Sequence, residues 1–149
     1  MRAVSRSALV PYTTRQMYLL VKDVEAYPEF LPWCNDAEVH IREPDYIEAS
    51  LELHHRGISK RFRTRNALKE NESLGIELVG GPFRRLSGGW LFSSLGEAGS
   101  KVSLQLEFEF DSRATDIIFG RFFEKICNTL VDSFTSRAAD MYTPIGGAP

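Results

Sequence analysis

Few side chains in this 149-residue chain are of types that do chemistry at close quarters. His54 and His55 are adjacent. In an extended strand neighbouring side chains point to opposite faces, so the two do not share a metal. His55 falls on the apolar-facing side near a turn. We read it as a hydrogen-bonded edge histidine, with a general acid/base inside a cavity as the alternative. Asp23, Glu25 and Glu29 read as cap and surface charges. Cys34 and Cys127 are the only cysteines; they make neither a CxxC pair nor a disulfide framework and read as reduced, half-buried thiols. GxSxG, HExxH, P-loop and GxGxxG patterns are all missing. With no nucleophile, base and orienter in view, the expectation is a protein that is not an enzyme and holds no metal.

One cluster of charge stands out, in "RGISKRFRTRN". Arg61, Arg63 and Arg65 alternate and so share one strand face. If Arg56-Gly57 is a two-residue turn, Glu52, Ser50 and Glu48 lie opposite them in that order and partly neutralise the stripe. A solvated charge ladder is one reading. The other is a patch for RNA phosphates or anionic lipid head groups, extended by Arg84 and Arg85. Formal net charge is −2, so no whole-molecule attraction to nucleic acid is implied and DNA is not an expected partner.

These residues need elements to hold them. Residues 3–10 read as a strand. Thr13 and Gln16 fit a capping box, and Met17, Leu20, Val21 and Val24 follow at i, i+3, i+4 and i+7, predicting a helix over 14–24. In "YPEFLPWC", Pro28 suits the first turn of a short helix and Pro32 stops it. From about Val39 the period becomes two. Strands are predicted over 46–55, 58–68, 73–79, 85–94 and 101–110, the last with Val102, Leu104, Leu106, Phe108 and Phe110 on one face. Short turns between them make an antiparallel sheet with one wet face. Gly88-Gly89 inside a strand fits sharp curvature or close approach of another group. From Ala114 to Tyr142 a proline-free stretch repeats Phe119, Phe122, Phe123, Ile126, Leu130, Phe134, Ala138 and Met141 at helical spacing. Residues 143–149 read as a frayed end. The whole is one α+β domain over 1–149, a curved sheet of about seven strands gripping a long C-terminal helix, with two short helices after the first strand. Such a grip tends to leave a cavity between sheet and helix. The N-terminus lacks the apolar core of a signal peptide, and no apolar run approaches the ~20 residues of a membrane span, so a cytoplasmic protein is expected, at most peripheral at the inner membrane.

"VPYTTRQMYLLVKDVEAYPEFLPWC", "GISKRFRTRN", "GGPFRRLSGGWLF", and "LEFEF" followed by "FGRFF" resemble the bacterial ribosome-association toxin A (RatA) family and its mitochondrial Coq-type ubiquinone-binding relatives. Both belong to the START, or polyketide cyclase/dehydrase-like, superfamily. The resemblance covers roughly residues 4–142 and implies the helix-grip fold. It implies two functions: ubiquinone binding in the cavity in support of respiratory electron transport, or binding to the large ribosomal subunit that blocks subunit association. A cyclase or dehydratase is a third, through superfamily analogy alone.

The resemblance makes Tyr27, Phe30, Leu31 and Trp33 a lid over one mouth of the cavity, facing an apolar ligand or a membrane; a plug at the end of the core is the competing reading. Phe83, Leu86, Trp90 and Phe92 on the sheet, and Phe119, Phe122, Phe123 and Ile126 on the helix, are the remaining candidate ligand contacts. Core packing competes here too, because each buried Phe contributes about 2–3 kcal/mol to the fold by itself. The leading expectation is non-catalytic binding of a hydrophobic molecule, ubiquinone or another lipid, with no obligatory cofactor. The large ribosomal subunit and a membrane surface are the alternative partners.

Overall fold

The computed structural model describes residues 1–146. Strand β1 (Arg2–Val10) leads into helix α1 (Thr14–Lys22), then a 3-10 segment (Val24–Glu29). Six strands follow: β2 (Cys34–Arg42), β3 (Tyr46–His55), β4 (Ile58–Lys69), β5 (Ser73–Gly80), β6 (Phe83–Ser94) and β7 (Ser100–Phe110). Helix α2 (Arg113–Met141) closes the fold. The strands form one antiparallel sheet in the order β1-β7-β6-β5-β4-β3-β2, so β2 to β7 meander and β1 returns to the far edge beside β7.

Local chemistry accounts for most boundaries. The Thr13 hydroxyl accepts from Gln16 N at 3.1 Å, and the Gln16 side chain accepts from Thr13 N at 3.0 Å, a reciprocal cap that opens α1. The helix buries Met17, Tyr18, Leu20 and Val21. It stops at Lys22 rather than at the expected Val24, because Asp23 leaves helical geometry with ψ 70°. A 3-10 turn restarts with Ala26 N donating to Asp23 O at 3.2 Å. Pro28 therefore sits near the end of that segment, not in its first turn as the sequence suggested. Arg56 (φ 53°) and Gly57 (φ 77°) both adopt left-handed geometry, the two-residue turn whose twist suits a hairpin. That turn sets His55 opposite Ile58 and places Glu52, Ser50 and Glu48 opposite Arg61, Arg63 and Arg65.

Side-chain alternation puts the core on the concave face. Leu104 and Phe108 of β7 are fully buried, as are Phe119 and Ala138 of α2. The expected helical stripe ends at Ala138; Met141, one turn on, is 53% exposed. The outer face is wet along β7, at Lys101, Gln105 and Glu107, but less so at β3. There Glu48 and Ser50 are buried, covered by Arg63 and His40 from the flanking strands. Gly88 shows why that position takes no side chain: its φ is 140°, and an added Cβ would lie 2.0 Å from Gln105 O of the neighbouring strand. The close approach comes from β7, not from a ligand. The expected frayed end docks in part, since Ile145 N donates to Pro11 O at 2.8 Å; residues 147–149 lie outside the described part. No helix among the described residues is long and apolar enough to cross a membrane.

Candidate functional site

The concave sheet and α2 enclose an apolar cavity of about 70 Å³. That is space for a few waters, well short of the roughly 300–1,000 Å³ of a typical small-molecule site. Leu51, Phe62, Leu86, Trp90 and Leu106 wall it on the sheet side. Phe123, Ile126, Cys127, Leu130 and Phe134 wall it on the helix, a single stripe at 3.6-residue spacing. Val24, Tyr27 and Trp33 close one end. Among the described residues no charged side chain reaches the wall, and the two amide or hydroxyl side chains with capacity to spare are Thr64 and Asn66 of β4.

Six of the twelve candidate ligand contacts lie on this wall: Tyr27, Trp33, Leu86, Trp90, Phe123 and Ile126. The other six pack elsewhere. Phe30 stacks edge-on to Tyr27 and Phe134 with the Arg137 guanidinium 5.0 Å from its ring, so it caps the wall from outside. Leu31 is 1% exposed and fills the end of the core. Phe83 sits in an aromatic cluster with Phe62, Phe108 and Phe110, and Phe92 lies between Tyr18 and Trp90 under α1. Phe119 is buried beside Phe110, one turn before the cavity. Phe122 turns to the helix flank, where the His55 ring stacks on it at 3.8 Å. The proline-bracketed segment thus contributes two wall residues and two packing residues.

Thr64 and Asn66 were not among the candidates, yet their signal was present. If Arg61, Arg63 and Arg65 point outward, Phe62, Thr64 and Asn66 must point inward. The Thr64 hydroxyl donates to Asn66 Oδ1 at 2.9 Å, and both residues are buried. Besides the Trp33 and Trp90 indoles, each with one N–H donor, the other polar wall groups are already committed or inert. The Tyr27 hydroxyl donates to Val21 O, and burial holds its phenol far above the ordinary tyrosine range. Burial likewise pushes the Cys127 thiol up to about 12, with the Glu124 charge adding to the effect. Neither group ionises near neutral pH, and His55 lies off the wall. Among the described residues no group of three His, Cys, Asp or Glu is placed to hold a metal.

The basic stripe is largely engaged. Arg61 reaches across β3 to Asp36 at 2.8 Å and Glu38 at 3.2 Å on β2. Arg63 pairs diagonally with Glu48 at 3.5 Å, displacing the directly opposite Arg65. Arg65 instead stacks on Tyr46, its guanidinium 4.2 Å from the ring centroid. Two strands away, Arg84 pairs with Glu109 at 3.5 Å, and Arg85 is exposed opposite the same glutamate. Glu48 therefore neutralises one arginine of the stripe and the β2 acids another, while Glu52 makes no ion pair among the described residues.

A curved antiparallel sheet wrapped on one long helix around an apolar cavity defines the helix-grip class. The chain belongs to the polyketide cyclase / dehydrase and lipid transport family, whose pattern matches residues 10–135, and within it to the RatA group. It is 45% identical over 142 residues to the "Ribosome association toxin RatA" of Vibrio cholerae, covering 95% of this chain and 99% of the relative. It is 27% identical over 135 residues to the mitochondrial "Coenzyme Q-binding protein COQ10" of Dictyostelium discoideum, covering 88% of this chain and 66% of that one. Among solved structures, TTHA0849 from Thermus thermophilus superposes with a TM-score of 0.80 at 20% identity, over 95% of this chain and all of the other. The Zhui aromatase/cyclase of a Streptomyces superposes with a TM-score of 0.78 at 15% identity, over 99% of both chains. At such identities these two share the fold.

Proposed function

We propose that this protein binds an apolar, isoprenoid-type molecule in the sheet–helix cavity, with ubiquinone the leading ligand, and that it catalyses no reaction. The observation that carries the proposal is the wall itself: aliphatic and aromatic side chains on every side, no charge, and a single hydroxyl–amide pair, Thr64 with Asn66. Such a lining favours an oily ligand over water. The likeness to a coenzyme Q-binding protein supports the choice of ligand class. With Tyr27 and Cys127 locked in their neutral forms, the wall offers no acid, base or nucleophile at neutral pH. We place the protein in the cytoplasm, at most peripheral at the inner membrane. The test is titration with a short-chain ubiquinone while following tryptophan fluorescence. Saturable quenching is expected in the wild type and should be lost in a folded Trp90→Ala/Phe123→Ala double variant, which keeps Trp33 as reporter. Identical titrations of the two proteins would overturn the site.

A second reading is favoured by the near full-length identity to RatA: association with the large ribosomal subunit. Arg65 and Arg85 are the cations of the patch left for rRNA phosphates once Arg61, Arg63 and Arg84 are committed. Co-sedimentation with isolated large subunits at low salt tests it. Each phosphate contact removed by a charge-neutral variant should reduce the log–log salt slope by about 0.7–0.9. Wild-type protein that never co-sediments ends this reading and leaves the stripe a charge ladder.

A further inference from the structure

The Thr64–Asn66 pair is out of place in an apolar cavity. Asn66 is 5% exposed and Thr64 8%, and both face the wall space. A buried amide is costly unless its hydrogen-bonding groups are used. Asn66 Oδ1 is used, accepting from the Thr64 hydroxyl at 2.9 Å. The two hydrogens on Nδ2 find no protein acceptor among the described residues, and no helix cap, turn or ion pair accounts for the residue. Ile47 lies directly opposite it on β3, and Ala49, Leu74 and Ile76 are the wall residues of the two strands that flank β4; none offers a polar side-chain atom. The hydroxyl's proton is spent on the amide oxygen. The arrangement therefore fixes the amide's oxygen toward β4 and turns its donors toward the cavity.

We propose that Asn66, oriented by Thr64, is the polar anchor of the cavity: it donates to an acceptor oxygen on the head of an otherwise apolar ligand. The inference rests on the cavity-binding reading above and adds to it. It assigns the ligand class as an apolar tail carrying a carbonyl or ether oxygen, as a quinone head does, rather than a plain hydrocarbon or an anionic lipid. An anionic head would meet no cation on this wall.

The experiment compares two probes with the same alkyl chain, decylubiquinone and decylbenzene, which lacks an acceptor oxygen on its ring. Affinities for both are measured by tryptophan fluorescence on wild type and on Asn66→Leu. The ratio of the two affinities is the readout, so differences in probe solubility cancel between proteins. Wild type is expected to favour the quinone, and Asn66→Leu to reduce that preference about tenfold, the worth of a well-made neutral hydrogen bond. Thr64→Val, which frees the amide to rotate, should give a smaller loss in the same direction. If Asn66→Leu does not fold, Asn66→Ala is judged by the same ratio. An unchanged ratio in a folded variant overturns the anchor while leaving the cavity reading intact. A wild type that binds neither probe overturns both.

Discussion

Burial sets the behaviour of the two thiols. Desolvation pushes Cys34 up to about 11 and Cys127 up to about 12, against an ordinary value of 9.0. Above pH 9 the unfolded chain releases protons that the folded chain keeps, so stability falls as pH rises; below pH 9 both states hold their protons and the thiols contribute no slope. Each thiol adds about 1.4 kcal/mol per pH unit to that fall until its folded value is reached. Denaturant midpoints measured between pH 9 and 10 should therefore decline more steeply in wild type than in Cys127→Ala, with roughly half the decline removed. Equal slopes would show that Cys127 is not the group that titrates. His55 has a packing role by its geometry, since its ring stacks on Phe122 and lies off the cavity wall. His55→Ala should cost about 0.5–1.5 kcal/mol in a thermal melt and leave quinone affinity unchanged. A folded variant with weakened binding would return His55 to the site.

The elements differ in how plainly their sequences announce them. Thr13 with Gln16 signals the start of α1, and Thr13→Ala should destabilise the fold by about 1 kcal/mol in denaturant titration. Alternation in β7, the Arg56-Gly57 turn and the phenylalanine spacing of α2 are equally legible, because each depends on neighbours within a few residues. Register between β3 and β4 followed from the turn alone. What stayed hidden depends on distant partners. Arg61 finds its acids on β2, beyond the strand it faces, because a long side chain can cross one strand. Phe119 and Phe123 share a stripe, yet only Phe123 reaches the cavity, since the curvature of the sheet decides where it parts from the helix. Thr64 and Asn66 were hidden by their chemistry, as polar residues at inward positions run against the pattern used to find the core. Gly88 and Gly80 make a paired test of the close strand approach. Gly88→Ala sets a Cβ against the Gln105 carbonyl at a left-handed φ and should cost at least about 2 kcal/mol, whereas Gly80→Ala meets nothing within 4 Å. Similar melting temperatures for the two variants would contradict the packing described for β6.

At the scale of the whole molecule, a cavity of about 70 Å³ must widen before a prenylated ring can enter. Association should accordingly be slower than the roughly 10⁵–10⁷ M⁻¹ s⁻¹ typical of docking onto preformed surfaces, and should speed up in Leu130→Ala, which thins the helix side of the wall. Stopped-flow quenching reads both, and a fast rate unaffected by Leu130→Ala would mean that the wall does not gate entry. The strand order carries another consequence, for how the chain is made. From β2 to β7 each strand pairs with the one just synthesised, so hairpins can close in turn behind the growing end. Strand β1 is the exception: Val10 pairs with Ser100, and Arg2 with Phe108. At roughly 5–20 residues per second, the first strand is synthesised some 5–20 s before its partner. During that interval Val4 and Val10, which end up buried, have no sheet to enter. The earliest of the seven strands to be made is thus the last to be paired, and β1 without its partner is the stage at which this chain is most open to self-association or to capture by chaperones.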